Sequence, residues 1–338
     1  MGTVEASLGQ QRSPADPAGS GATLAALRRE LHDGGLDLPL PGGGNTWKRW
    51  QALIRLARED LSLARLAEGH TDAVAILAEL GSHPPASGEL WGVWAAHPPG
   101  HRLAARRLGG EWVLDGRKAF CSGAYSCTHA LVTAEPTPGE RRLFAVANEG
   151  TVVERDTWAA AGMAASETLT LVFHGVPAVQ VGAADAYTAR PGFHHGGAGV
   201  AACWYGGALG VAEPLASRAR GRSPDTHTLA HFGTVVRDLR RAEDVLCRAA
   251  HGIDADPRDT EGSADERALL VRSAVAATCS SVLETCAESL GPGPFAFDPR
   301  YTRAAQDLSV YVRQHHGARD LARLGERAAQ CTAGELRP

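Results

Sequence analysis

The sequence predicts an α+β fold with segregated layers: a helical N-terminal part, a central antiparallel β-domain and a C-terminal four-helix bundle. Three observations predict it. Apolar residues recur at spacings of three and four between Thr23 and Leu80. Short β-rich runs broken by Gly, Pro and Asp turns then fill Leu90 to Phe173. Helical spacing returns after Gly192 and continues almost to the end. No G-x-G-x-x-G follows a strand to open a helix, so a βαβ dinucleotide site is not indicated.

A chain of 338 residues can hold two or three units and bury a large core. Its 34 basic and 38 acidic residues give a net charge of −4, which marks neither a nucleic-acid nor an anionic-membrane partner. Seven scattered cysteines (Cys121, Cys127, Cys203, Cys247, Cys279, Cys286 and Cys331) form no C-x-x-C pair. Neither a zinc site nor a disulfide framework is indicated, and reduced thiols fit a cytoplasmic location. No secretory leader pattern is visible. Pro191 to Ala212 is uncharged and long enough to span a bilayer, but its seven glycines and two histidines argue for a buried helix instead.

Residues 1–20 lack periodicity and read as a disordered tail. In residues 21–87, Leu24, Leu27 and Leu31 mark one helix, which stops at Gly34-Gly35. Asn45-Thr46 starts a second, with Trp47, Trp50, Leu53, Ile54 and Ala57 in register. Leu61 to Leu80 forms a third, and His70 lies in its apolar stripe, where a lone histidine is more often a hydrogen-bonded core residue than a functional one. Residues 88–190 form the β-domain. Within it Asp115-Gly116 reads as a hairpin turn between Glu111–Leu114 and Arg117–Cys121. The small-residue turn Ser122-Gly123-Ala124 then brings backbone within reach of a ligand, although an ordinary β-meander has the same local pattern. His174-Gly-Val-Pro177 reads as the exit from the last strand. Residues 191–338 carry helices over Gly196–Arg218 and Thr228–Ala250, then one opened by a Ser263/Glu266 capping box and closed at Gly291. Arg303–His315 and Ala318–Ala329 complete the set, as two helices or one bent helix.

Several strings resemble the acyl-CoA dehydrogenase superfamily: Trp94-Ala-Ala-His-Pro98, Gly116-Arg-Lys-Ala-Phe-Cys-Ser-Gly123, Gly162-Met-Ala-Ala-Ser-Glu-Thr168, His231-Phe-Gly233, and Leu290-Gly-Pro-Gly293 followed by Arg303 and Asp307. The resemblance covers about residues 23 to 335 and rests on the order and spacing of these pieces. It implies the fold of that superfamily, with FAD, or alternatively FMN, held between the β-domain and the helical bundle. It also implies a homodimer or homotetramer and an acyl thioester substrate.

Carried over position by position, the resemblance puts Trp94, Ala96, Phe120, Ser122, His231 and Phe232 at the cofactor. Ser122 keeps a hydroxyl where the family places a threonine against the flavin, and Phe120 keeps an aromatic ring. Ala96 and His97 stand where the family has threonine and glutamate. Leu229 replaces an arginine that contacts the FAD pyrophosphate, which removes a charge-assisted contact. Where the family carries its catalytic glutamate, eight residues beyond Asp307, this chain has His315. Arg303, Asp307, Tyr311 and His315 are spaced four apart, which suits one helix face and equally an ordinary ion pair with a packed tyrosine. A histidine near neutral pKa suits general-base work. It is also reminiscent of the superfamily's flavin-dependent monooxygenases, such as the dibenzothiophene monooxygenase type, with His70, Ser122 and His315 at comparable places. Three functions follow: α,β-dehydrogenation of an acyl thioester with His315, and His70 nearby, as catalytic residues; reduced-flavin-dependent monooxygenation; or a non-catalytic binding or assembly module.

Overall fold

The computed structural model describes residues 19–330. The expected tail and Cys331 therefore lie outside the described residues, apart from Gly19 and Ser20. Three helices open the chain: α1 (Ser20–His32), α2 (Thr46–Glu59) and α3 (Leu61–Glu79). Asp60 caps α3, accepting from the Ser62 and Leu63 amides, and also takes hydrogen bonds from Thr23 and Arg303. One carboxylate thus ties α1, α3 and the C-terminal region together. The Asn45 side chain makes no capping bond at the start of α2. Asp254, 208 residues further on, supplies it by accepting from the Thr46 amide at 3.0 Å.

Seven strands follow: β1 (Trp91–Trp94), β2 (Leu103–Leu108), β3 (Glu111–Cys121), β4 (His129–Ala134), β5 (Arg142–Ala147), β6 (Thr151–Glu154) and β7 (Leu169–Val181). The sheet runs β1-β4-β5-β7-β3-β2, with β6 alongside β7. All pairings are antiparallel except β1 with β4, which is parallel. Two expectations are corrected here. Asp115-Gly116 is not a turn; it lies within β3, where the register against β7 shifts, and the tight turn is Gly109-Gly110 between β2 and β3. A Cβ on Gly116 would fall 2.3 Å from the Arg102 carbonyl oxygen, so glycine serves close strand approach rather than reversal. His174–Pro177 likewise does not end the last strand. β7 runs through it, pairs with β3 as far as Ala178, and passes to β5 at Val179–Val181.

The remaining helices are α4 (Ala186–Ala189), α5 (Pro191–Ala219), α6 (Thr226–Ala255), α7 (Ala264–Leu290), α8 (Gly293–Phe297), α9 (Pro299–Tyr311) and α10 (Ala318–Gln330). The uncharged stretch Pro191–Ala212 is the core of α5, which packs on α2, α3, α6, α7 and α9. Its glycines permit this: a Cβ on Gly206 would lie 2.5 Å from the Ile54 carbonyl oxygen. By length and composition α7 alone, among the described residues, could cross a membrane, and half of its apolar window is buried. The Ser263/Glu266 capping box does not form. Asp259 accepts from the Ala264 amide, and the Ser263 hydroxyl takes a bond from Arg267 instead. Arg303–His315 is not one helix either. α9 ends at Tyr311, a 3₁₀ turn covers Val312–Gln314, and His315 is extended. One apolar cluster, including Trp50, Leu66, Trp94, Phe144, Phe173, Trp204, Leu246 and Leu308, runs through helices and strands alike.

Candidate functional site

A cleft of about 800 Å³ opens where β1, β3 and the Met163–Thr168 segment meet α3, α5, α7 and the end of α9. Its size is in the range of a cofactor or small-molecule site. The β-side wall is built on Ser122, whose turn is pinned from three directions. The Trp94 indole donates to the Ser122 carbonyl at 2.9 Å, and the amides of Gly123 and Ala124 donate to the Ser166 and Glu167 carbonyls. The Ser122 hydroxyl shares a hydrogen bond with Thr168 (2.9 Å), which shares one with Ser166 (2.7 Å). Phe120 stands beside it with φ of 60°, a conformation that a bulky residue adopts only at a cost. Its ring is 51% exposed, so burial does not repay that cost. Behind this wall Lys118 is fully buried; its ammonium donates to the Thr133 carbonyl and hydroxyl at 2.7 and 2.8 Å, and burial pushes it down to about 7.

Of the residues named from sequence, the structure brings Ala96, Phe120 and Ser122 together on the cleft. Trp94 supports them from behind. His231 and Phe232 lie on α6, outside the cleft-lining set, with Phe232 packed on the apolar core. His70 is 5% exposed and also outside it; its Nδ1 accepts the Trp91 amide at 3.2 Å. That bond fixes Nδ1 without a proton, and burial lowers the ring's pKa, opposed only by Asp37. His315 does not line the cleft either. Because α9 ends one turn early, the ring turns to Ser273 (3.1 Å) and Asp320 (3.8 Å), both through Nε2. A serine–histidine–aspartate relay needs the carboxylate on the other ring nitrogen, so this grouping is structural.

What the sequence reading missed is the helical wall. Arg65, Glu68 and Asp72 sit on successive turns of α3 and all line the cleft, with Tyr187, Arg272 and Tyr311 opposite. Arg65 pairs with Glu68, and Asp72 accepts from Arg49 at 3.0 Å. Glu68 is 5% exposed. Burial, with the Asp72 carboxyl adding to it and Arg65 only partly opposing it, pushes Glu68 up to about 7. The Tyr311 hydroxyl is buried and has no hydrogen-bond partner among the described residues. Arg272 reaches the Gly197 and Gln314 carbonyls and stacks over Trp204. A spacing of three and four for charged residues in an otherwise apolar helix was the available signal.

No protein-family model matches the chain, and no curated protein matches it by sequence. Solved structures do match. One is a KijD3 in complex with FMN and dTDP-3-amino-2,3,6-trideoxy-4-keto-3-methyl-D-glucose, at a TM-score of 0.71 and 20% identity over 94% of this chain and 95% of that one. The nitrososynthase of Micromonospora carbonacea var. africana gives 0.74 and 19% over 95% and 99%. TdsC from Paenibacillus sp. A11-2, with FMN and indole, gives 0.71 and 19% over 91% and 95%; another structure of it is described as dibenzothiophene monooxygenase. The chain has the acyl-CoA dehydrogenase-like fold. Some of its solved neighbours are named as monooxygenases, TdsC and methanesulfinate monooxygenase MsuC among them. An electron transferring flavoprotein of Acidaminococcus fermentans also matches, at a TM-score of 0.78 and 13% identity over 91% of this chain and 90% of that one. KijD3 and TdsC are both seen with FMN, whereas the expectation for this chain was FAD first.

The residues of the cleft fit a flavin. An exposed aromatic ring held in a strained conformation, a buried hydroxyl chain and an apolar lining of Val93, Ala95, Ala96, Trp158, Met163 and Val200 suit a flat heteroaromatic ring system. Arg313 at the same cleft suits a phosphate, whereas Arg190 and Arg323 are already paired with Glu79 and Asp265.

Proposed function

We propose that this protein is a reduced-flavin-dependent monooxygenase that takes FMN and oxygenates a small organic substrate in the cleft between the β-domain and the helices. What supports this reading is the likeness to solved structures named as monooxygenases, TdsC and MsuC, and to two, KijD3 and TdsC, that hold FMN. His315, expected at the cleft in both enzyme readings, is bonded to Ser273 and beside Asp320 instead and separates neither. Leu229, exposed on α6 in place of a pyrophosphate-binding arginine, removes a reason to expect FAD over FMN.

Ser122, Phe120, Trp158 and Met163 would hold the ring system, and Arg313 would hold its phosphate. Bound reduced flavin would supply the two electrons that activate molecular oxygen. The chain's own part is to orient substrate on the apolar wall and to keep bulk water away, through the packed ring of Trp94 and the closed Ser122–Thr168–Ser166 hydroxyl chain.

The test is anaerobic titration of the purified protein with reduced FMN and reduced FAD, followed by mixing with air. Reduced FMN is expected to bind about tenfold or more tightly than reduced FAD, a difference of about 1.4 kcal/mol, and to consume oxygen on mixing. Anaerobic bleaching of the oxidised flavin by an acyl-CoA would reverse the assignment in favour of dehydrogenation. Absence of flavin binding in either redox state would leave only a non-catalytic module.

A further inference from the structure

We propose that Glu68 is the proton-exchanging residue of the cleft, positioned by Arg65 and set against Asp72 and the unpartnered hydroxyl of Tyr311. This rests on the monooxygenase reading above and adds to it a residue that the sequence resemblance did not indicate.

Glu68 lines the α3 wall of the cleft and is 5% exposed. Its ion pair with Arg65, three residues earlier, fixes one side of the carboxyl. Asp72, one turn later, is held in turn by Arg49 from α2. Burial and the neighbouring Asp72 carboxyl together disfavour the ionised form of Glu68, with Arg65 opposing them only in part. The other groups whose charge couples to Glu68 come from four further helices: Tyr187 on α4, Cys203 on α5, Arg272 on α7 and Tyr311 on α9. Both tyrosines and the cysteine are neutral near pH 7, since burial raises all three. Lys118 also titrates near 7 but lies behind the β-side wall on Thr133, and the cleft histidines His194 and His316 face Asp265 and Asp320. Glu68 is more deeply buried than Asp72, and Arg65 holds it in place.

The balance closes without consuming the residue. Reduced flavin, molecular oxygen and substrate give oxidised flavin, oxygenated substrate and water. Reduced flavin brings both hydrogens that leave in the water, so Glu68 lends a proton at the oxygen that becomes water and recovers one before the next turnover.

Three variants and three readouts test this. In flavin-free protein, infrared difference spectra across neutral pH should show a protonated-carboxyl band that Glu68→Gln removes. With FMN, Glu68→Gln should bind the cofactor within about twofold of native (less than 0.5 kcal/mol) yet lose the ionisation near pH 7 from the pH dependence of oxygen-coupled turnover. Asp72→Asn removes a neighbour that raises Glu68, so it should move that ionisation to lower pH. Glu68→Asp, which keeps a carboxyl, should restore a titration if Glu68→Gln misfolds. A band that survives Glu68→Gln, or a pH profile that it leaves unchanged, overturns the proposal. If the native protein neither binds flavin nor takes up oxygen, the monooxygenase reading fails by itself. The flavin-free infrared titration then still decides whether Glu68 holds the exchangeable proton.

Discussion

At the scale of single residues, the cleft combines a strained side chain with a relaxed core. Phe120 has φ of 60° and a half-exposed ring, whereas Phe144 is fully buried. Replacing Phe120 with glycine relieves the backbone and loses little burial, so stability should stay within about 1 kcal/mol of native. Phe144→Ala should cost about 3–5 kcal/mol, both measured by denaturant unfolding. FMN affinity should fall for Phe120→Gly, as expected of a ring kept for a ligand rather than for the fold. His70 makes a second prediction. Its folded pKa lies below the ordinary value, so the unfolded chain binds a proton that the folded chain refuses, and stability is lost as pH falls through about 6.5. His70→Gln keeps an acceptor for the Trp91 amide without a titrating ring. Its melting temperature should drop less than that of the native protein between about pH 7 and pH 5.

The residue scale also shows what sequence could and could not tell. Ser122 and Phe120 were legible because one contiguous string carries both into one turn, and Ala96 because it stands in a second short string, Trp94–Pro98. Glu68 was not, because its role comes from burial, and a glutamate in a helix looks the same whether it faces water or a cleft. His315 misled for a local reason: counting by fours assumes that the helix continues, and α9 stops at Tyr311.

At the scale of elements, close approach decides more than propensity. Gly206 on α5 faces the α2 backbone, with Ala57 Cβ 2.7 Å from where its own Cβ would be. Gly233 on α6 has nothing within 4 Å. Alanine is the better helix former by about 1 kcal/mol at either site. Gly233→Ala should therefore raise the melting temperature, while Gly206→Ala should lower it through overpacking worth about 1–3 kcal/mol. Equal shifts of the same sign would contradict the packing argument. Strands and helices were mostly readable from their apolar period. Their junctions were less so: Asp115-Gly116 has the composition of a hairpin turn, but Gly109-Gly110 already provides the reversal between β2 and β3, which leaves Gly116 to a bulge.

At the scale of the whole molecule, the order of helices, strands and helices was visible in the sequence, but the bonds that join them were not. Asn45 looked like the cap of α2, and Asp254 on α6 performs that task. Asp254→Ala should cost about 1–2 kcal/mol, the usual worth of a lost N-cap, whereas Asn45→Ala, exposed and without a capping bond, should stay within about 0.5 kcal/mol. Thermal unfolding of the two variants compares them directly. Partners 208 residues apart leave no trace in a local pattern.

β7 belongs at once to both halves of the β-domain: it bonds to β6 and β3 over its first part and to β5 over its last. Neither half can come apart while this strand stays in place, so the two should share a single opening event. In native-state deuterium exchange, the amides of Leu171 and Val181, near opposite ends of the strand, should become labelled together and slowly, with one free energy and one dependence on denaturant.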